Sequence, residues 1–242
     1  MCPHSIDGLA KRSVRCAAAA HREDISAAGA GRKPETMRRV IRSLARNAST
    51  DAKASVVAAD VARGGDVSEQ TVRSYIESLK EIYFIEEQDA WDPGLRSRTR
   101  LRSSPKRHLT DPSLAAAAMG AGRDALLDDP NTAGSLFESM CYRDMCVYAS
   151  AIDGTVFHYR DSSGLEIDEI VELRDGRWGA AEVKMGVDDF DKAAKSLNRL
   201  RDKIEGAGGR PPSFLMVVGA AGGVARARPD GVSEVPLDCL GP

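Results

Sequence analysis

Three carboxylates and one lysine follow an order that could support phosphodiester chemistry: Glu138, Asp168, Glu182 and Lys184. Glu182 and Lys184 are two residues apart in a predicted strand, so both side chains leave the same face of it. Carboxylates that face each other repel, and Mg²⁺ relieves that repulsion while it retains several water ligands. A neighbouring ammonium can orient the attacking water or stabilise developing phosphate charge. We therefore predict Asp168 and Glu182 as metal ligands, with Glu138 as a further ligand or a support for them.

The loop that joins the two strands decides whether these carboxylates meet. A two-residue turn at Asp175-Gly176 is the shorter alternative, and it leaves Asp168 on the opposite face from Glu182. A three-residue loop with its glycine in the left-handed conformation pairs Leu173 with Arg177, which sets Asp168 directly opposite Glu182. Because a shift of one residue turns a side chain to the other face, the chemistry requires the longer loop.

The same residues also have an ordinary explanation. A Glu-x-Lys pair on a strand is usually solvated and contributes only ~0.2–1 kcal/mol. Asp168 lies in an acidic stretch, residues 166–172, that could be an exposed strand face. The order helix, strand, strand for the whole set favours a nuclease-like site over this explanation.

A basic stretch at residues 94–107 contains no acidic residue. Basic side chains at every second position would project from one face of a strand and suit contacts with nucleic-acid phosphates. Docking on an acidic protein surface explains the row equally well, because the preceding helix also carries Glu69 and Glu77. The residues predicted to bind nucleic acid are Arg73, Arg96, Arg98, Arg100, Arg102 and Lys106.

The elements before and around this basic stretch are predicted to form a winged helix-turn-helix. Apolar residues recur at helical spacing in 35–48 and 53–63. Ser68 is a good N-cap for a third helix that continues through Lys80. A strand is expected to begin at Ile82, and residues 98–102 are expected to form the returning strand.

The second part of the chain alternates helices and strands, which indicates a mixed α/β or α+β sheet domain. The predicted elements are a helix at 132–149, strands at 155–160, 165–173 and 177–184, a helix at 188–204 and strands at 213–219 and 232–236. The predicted divisions are a partly disordered leader at 1–34 with one helix around 9–25, the winged helix at 35–112, a connector at 113–131, the sheet domain at 132–220 and a tail at 221–242.

Composition limits the class of protein further. Hydrophobic residues make up 42% of the chain and the net charge is −2, which is ordinary for a globular protein. The five cysteines contain no CxxC pair, so a zinc site or a disulfide framework is not expected. No apolar run approaches ~18 residues, so we expect no membrane partner and a cytoplasmic location.

Several short motifs together resemble one family. They are Ser68 to Leu79, Trp91-Asp-Pro93, Lys106 to Pro112, Gly134 to Glu138, Tyr159-Arg160, Gly164 to Asp168 and Glu182-Val-Lys184. As a set, over about residues 21–240, they resemble the C-terminal part of a group of AAA-type ATPases from bacteria and archaea.

This resemblance implies a winged helix followed by a PD-(D/E)XK restriction-endonuclease-like domain of unknown function. It implies that Asp168, Glu182 and Lys184 match the nuclease triad and that Glu138 matches the helix glutamate. The sequence has no G-x-x-x-x-G-K-[ST] motif, so we expect no ATP site in this chain and interpret it as a truncated form. DNA and an ATPase module acting in trans are the expected partners, and the oligomeric state stays open.

Three functional alternatives follow from these observations. The first is a Mg²⁺-dependent nuclease-like module on a DNA-binding winged helix. The second is a catalytically inactive module that binds DNA or protein and regulates an ATPase. The third is a partly folded remnant of a longer gene.

Overall fold

The computed structural model of the chain describes residues 33–62, 67–93, 104–220 and 222–241. The protein has a mixed α/β structure that divides into two compact units. The first unit comprises the described residues up to Glu87 together with Arg107–Leu136. The second comprises the described residues of Gln88–Lys106 and those from Phe137 onward. The predicted leader and its helix lie outside the described residues.

The first unit is mainly helical. Its elements are α1 (Pro34–Arg46), α2 (Ala54–Ala62), α3 (Glu69–Glu81), β1 (Ile85–Gln88), β2 (Lys106–Leu109), α4 (Pro112–Met119) and α5 (Arg123–Asp128). The last residue of β1, Gln88, and the first residue of β2, Lys106, count with the second unit. The three predicted helices are confirmed, and β1 and β2 form a two-stranded sheet. Ser68 caps α3 as predicted, since its hydroxyl oxygen accepts a hydrogen bond from the Thr71 N–H at 3.1 Å.

One strand prediction for this unit is wrong in detail, and a second lies outside the described residues. Ile82 is the C-cap of α3, and Tyr83 follows with a left-handed φ of 54°, so the strand begins only at Ile85. The strand that pairs with β1 is Lys106–Leu109, whereas the predicted returning strand at 98–102 lies outside the described residues.

The predicted connector at 113–131 also folds differently from the prediction. It contributes most of α4, all of α5 and the beginning of the next helix. Leu114 and Ala115 are buried in the core of the first unit, and the Asp111 carboxylate caps α4 by accepting from the Ser113 N–H at 2.8 Å. The run of small apolar residues after Pro112 therefore forms a packed helix.

The second unit contains a six-stranded mixed sheet. Its elements are α6 (Pro130–Ser150), whose first residues count with the first unit, β3 (Gly154–Arg160), β4 (Glu166–Leu173), β5 (Trp178–Lys184), α7 (Phe190–Gly206), β6 (Leu215–Gly219), β7 (Arg226–Ala227) and β8 (Ser233–Pro236). The strand order is β3-β4-β5-β6-β8-β7. The strands β3, β4 and β5 run antiparallel in succession, whereas β5, β6 and β8 run parallel.

Helices cover the two faces of this sheet. One buried cluster contains Cys141 and Met145 of α6 together with Ala181 and Val183 of β5. The other contains residues of α7 with Trp178 and Ala180 of the same strand. Alternate residues of β5 therefore belong to opposite layers, as expected for a strand that is covered on both faces.

The C-terminal residues belong to the sheet and do not form a loose tail. β8 pairs in parallel with β6, with Met216 opposite Ser233 and Val218 opposite Val235. The short strand predicted at 232–236 is confirmed in this position. Within the described residues, no helix is both long enough and apolar enough to cross a membrane.

Candidate carboxylate–lysine site

The hairpin between β4 and β5 has the longer of the two loops considered above. The Leu173 N–H donates to the Arg177 carbonyl at 2.8 Å, and Glu172 is opposite Trp178. The loop glycine, Gly176, has a φ of 79°, which is the left-handed conformation. This register confirms the predicted pairing and brings Asp168 level with Glu182.

A β-bulge in β4 directs two acidic side chains into the site. Phe157 is opposite Ile170 and Tyr159 is opposite Ile167, so one residue of β3 faces both Asp168 and Glu169. Bulges of this kind bend a strand and re-aim its side chains. The Val183 N–H, just beyond the last paired residues of the β4–β5 ladder, donates to Oδ2 of Asp168 at 2.9 Å.

Lys184 joins the two carboxylates of the hairpin. Its Nζ lies 2.5 Å from Oε2 of Glu182 and 3.2 Å from Oδ2 of Asp168. Glu182 is buried. The three residues predicted to match a nuclease triad are therefore in direct contact with one another.

A second lysine reaches the same carboxylates from β2. The Nζ of Lys106 lies 2.6 Å from Oε1 of Glu138 on α6 and 3.5 Å from Oδ1 of Asp168. The Lys106 side chain is 13% exposed. Both oxygens of Asp168 therefore face an ammonium, Lys106 on one side and Lys184 on the other.

Glu169 completes the set, which we call the carboxylate–lysine cluster: Lys106, Glu138, Asp168, Glu169, Glu182 and Lys184. Glu169 is 0% exposed, and neither oxygen of its carboxyl group has a hydrogen-bond partner. Burial raises its pKa well above the ordinary value, and the nearby Asp168 and Glu138 carboxylates raise it further. Burial therefore favours the uncharged form of Glu169 more than that of an exposed glutamate.

The other acids of the cluster differ in protonation. Burial and the Asp168 carboxylate raise the pKa of Glu138 to about 7 and that of Glu182 to about 8, against the opposing effects of the lysines. Burial also acts to raise the pKa of Asp168, but the Lys106 and Lys184 ammonium groups hold it at about 2. Asp168 is thus the permanent anion at the centre of the cluster.

The arrangement does not fit a divalent cation as it stands. Among the described residues, no group of three or more His, Cys, Asp or Glu side chains is arranged to hold a metal ion. The Lys106 ammonium lies between Glu138 and Asp168, where a bridging cation would have to bind. The metal expected at Asp168 and Glu182 therefore stays a prediction.

Of the residues predicted to bind nucleic acid, Arg73 and Lys106 lie among those that the structure describes. Lys106 belongs to the carboxylate–lysine cluster. Arg73 lies on the exposed part of α3 and pairs with Glu69 one turn earlier. The four arginines at 96, 98, 100 and 102 lie outside the described residues.

Sequence reasoning missed Glu169 and placed Lys106 in another role. One signal for Glu169 was available, since Ile167 and Ile170 are both apolar but three residues apart in a predicted strand. Regular alternation would send these two side chains to opposite faces, whereas both belong to the cluster beneath α7. Such spacing indicates a bulge between them.

Comparisons with known proteins match each part of the chain to a different family. A model described as Domain of unknown function (DUF8612) matches residues 15–125. A second, described as Domain of unknown function (DUF4143), matches residues 133–240. No curated protein and no solved structure matches the chain. The chain is thus similar to two domains of unknown function, and most of the carboxylate–lysine cluster lies within the second match.

Proposed function

We propose that the chain is a nuclease-like, DNA-associated module of an AAA-type ATP-binding protein, and that it binds DNA without cleaving it. The resemblance of its motifs to the C-terminal part of AAA-type ATPases supports the association with an ATPase. The convergence of Glu138, Asp168, Glu182 and Lys184 in the second unit supports the nuclease-like description.

The position of Lys106 carries the proposal that the module does not cleave. A metal-dependent nuclease needs carboxylate oxygens that are free to bind a cation and polarise a phosphate. In the cluster, each Asp168 oxygen instead faces an ammonium, at 3.5 Å for Lys106 and 3.2 Å for Lys184. The lysines thus compensate the negative charge that a metal would otherwise neutralise.

The arginine-rich stretch supports DNA as the ligand. Four arginines at alternate positions from 96 to 102 supply positive charge without an acidic neighbour. Neutralising phosphates in this way releases counterions, so binding should weaken steeply as salt rises. Sequence selectivity is not expected from these contacts, because phosphates carry no sequence information.

A second candidate function is a metal-dependent phosphodiesterase. The observation that favours it is the hairpin register, which brings Asp168 of β4 level with Glu182 of β5. Lys184 follows Glu182 by two residues on the same strand. If Lys106 were withdrawn, these side chains would present oxygens and an ammonium to one phosphate.

One experiment on the full chain separates the two candidates. Anisotropy of a labelled DNA duplex is measured at increasing KCl concentration, and cleavage of the same duplex is measured with Mg²⁺ and with Mn²⁺. We expect binding that weakens by at least ten-fold between 50 and 200 mM KCl, which corresponds to about two phosphate contacts or more, and no cleavage. Replacement of the four arginines by glutamine should reduce both the affinity and its salt dependence.

Two results would contradict the proposal. Cleavage that is present in the wild type and lost in Asp168→Ala would establish the phosphodiesterase instead. Absence of binding at low salt would exclude DNA as the ligand and leave a protein-binding module.

A further inference from the structure

We infer that the exposed face of α1 is a further contact surface for the phosphates of double-stranded DNA, formed by Arg38, Arg42 and Arg46. We call these three residues the α1 arginine row. The inference rests on the proposed function, because it names the place where the first unit contacts the same ligand. It assigns that contact to α1 and not to α3, the helix in the recognition position of a helix-turn-helix.

The α1 arginine row is regular and accessible. Its members are four residues apart, so they lie on one face of the helix, about 6 Å from one to the next along its axis. The side chains of Arg38 and Arg46 are 74% and 63% exposed, and Arg42 is exposed between them. From Thr36 to the end of the helix, the exposed residues are these three arginines. The accessible face of α1 therefore carries positive charge alone over most of its length.

Little negative charge nearby competes for these guanidinium groups. The Arg42 side chain forms no ion pair or hydrogen bond with another residue that the structure describes. Arg38 pairs with the exposed Glu35 at 3.3 Å, and Nη1 of Arg46 lies 3.9 Å from Oδ2 of Asp60. Ion pairs of exposed side chains contribute little free energy, so a phosphate can replace either of them at small cost.

The accessible face of α3 has the opposite charge balance. Its exposed charged residues are Glu69, Arg73, Glu77 and Glu81. Nε of Arg73 donates to Oε1 of Glu69 at 3.0 Å. Nζ of Lys80 lies 2.6 Å from Glu87 and 3.5 Å from Glu77. The basic side chains of α3 are thus already compensated, and the remaining acidic groups repel phosphates.

The chemistry of the α1 arginine row favours phosphates over a lipid bilayer or an apolar protein surface. The apolar face of α1, which includes Val40 and Leu44, is buried in the core of the first unit. The helix therefore has no apolar face left to insert into a bilayer, as an interfacial amphipathic helix does. The row also contains no aromatic side chain of the kind that anchors protein–protein contacts. The planar guanidinium group offers two parallel N–H donors, which match two oxygens of one phosphate.

The test measures the affinity of the full chain for a labelled DNA duplex by anisotropy at several KCl concentrations. Replacement of the whole row by glutamine should weaken binding by on the order of ten-fold or more at about 100 mM KCl, because three phosphate contacts are lost. The slope of log affinity against log salt should become shallower by about two to three, since each contact contributes about 0.9. Duplexes of unrelated sequence should lose affinity equally, because phosphates carry no sequence information.

Two control variants accompany this measurement. Lys192→Gln, Lys195→Gln and Arg199→Gln together remove the same charge from exposed positions of α7. Acidic residues, Asp191 and Asp202, are interspersed with them, so this variant should change the affinity by less than about two-fold. Replacement of the α1 arginine row by lysine keeps the charge and should retain most of the salt dependence.

The outcomes separate this inference from the proposed function. If the wild type binds the duplex and the glutamine variant, folded by circular dichroism, binds equally well, the inference is wrong and the proposed function stands. An equal loss of affinity in the α7 variant also overturns the inference, because the effect is then one of net charge. Absence of wild-type binding at low salt overturns both. If the glutamine variant does not fold, Arg42→Glu alone decides: weaker binding by the folded variant supports the inference, and unchanged binding overturns it.

Discussion

At the scale of single residues, Glu169 is a buried acid whose position should cost stability. Its carboxyl group is buried without hydrogen bonds, and each buried polar group left without a partner costs about 1–3 kcal/mol. Burial raises its pKa and neighbouring acids raise it further, so the folded protein keeps a proton there up to a higher pH than the unfolded chain does. The residue therefore lowers stability in its present position.

Replacement of Glu169 by methionine should raise the free energy of unfolding at pH 7 by about 1–3 kcal/mol, because it removes the unpaired polar atoms and the proton uptake. A raised folded-state pKa means that the wild type is penalised only above the ordinary value of 4.5. The gain should therefore shrink as the pH falls towards that value. Urea unfolding at several pH values measures it.

The matched control for this prediction is Glu166→Met on the same strand. Glu166 forms an exposed pair with Arg160, so its replacement should change stability by less than about 0.5 kcal/mol. A Glu169→Met variant less stable than the wild type at pH 7 would show that the carboxyl group has a stabilising partner.

At the scale of elements, the β4–β5 hairpin positions the site through its loop. Gly176 has a φ of 79°, and a Cβ at this position would meet no atom within 4 Å. The cost of a side chain there is therefore purely conformational. Gly176→Ala should destabilise the protein by about 1–2 kcal/mol, as expected for an L-residue in the left-handed region.

Gly186 offers a control in the same unit, since its φ is −110° and a Cβ would also meet open space. Gly186→Ala should cause no loss of stability, because alanine adopts this conformation freely. Thermal unfolding of both variants measures the difference. Equal effects of the two substitutions would show that the left-handed conformation of the loop is unimportant.

The turn between β3 and β4 depends on Asp161. Its Oδ1 accepts from the Ser163 N–H at 2.7 Å and from the Leu165 N–H at 3.1 Å, and its other oxygen pairs with Lys203. Burial opposes ionisation, but Lys203, the Ser163 hydroxyl and the backbone N–H groups together hold the pKa of Asp161 well below its ordinary value.

A lowered pKa in the folded state gives stability that is present above the ordinary value of 3.8 and is lost as the pH falls below it. Asp161→Asn should therefore unfold at lower urea concentration than the wild type at pH 7, and the difference between the two midpoints should shrink progressively as the pH falls below 3.8. Asp202→Asn, which removes an exposed pair with Arg201, should leave the midpoint unchanged. A constant difference between Asp161→Asn and the wild type at every pH would contradict the role of the charge.

Sequence patterns were most informative where the periodicity was strong and local. The helices α1 to α3, α6 and α7 and the strands β3 to β6 follow from apolar spacing and from caps such as Ser68. The bulge at Asp168 and Glu169 was not predicted, although the three-residue spacing of the apolar Ile167 and Ile170 was a signal for it. The contact of Lys106 with Glu138 was also missed, since it joins residues 32 positions apart.

At the scale of the whole molecule, two successive parts of the chain are similar to two different domains of unknown function, and the carboxylate–lysine cluster lies in the second unit. The two tryptophans of the chain, Trp91 and Trp178, pack against each other in that unit, with ring centroids 4.9 Å apart. Tryptophan fluorescence therefore reports on unfolding of the unit that contains the cluster, separately from the first unit.

The most direct test of the lysine-compensated cluster is a double-mutant cycle followed by this fluorescence in urea. The proteins are the wild type, Lys106→Met, Glu138→Gln and the double variant, at pH 8, where Glu138 with its pKa of about 7 is mostly ionised. If the Lys106 ammonium compensates the Glu138 carboxylate, the loss of unfolding free energy in the double variant should be smaller than the sum of the losses in the two single variants. We expect a difference of about 1–3 kcal/mol. Losses that add to within about 0.5 kcal/mol would contradict a direct interaction between Lys106 and Glu138.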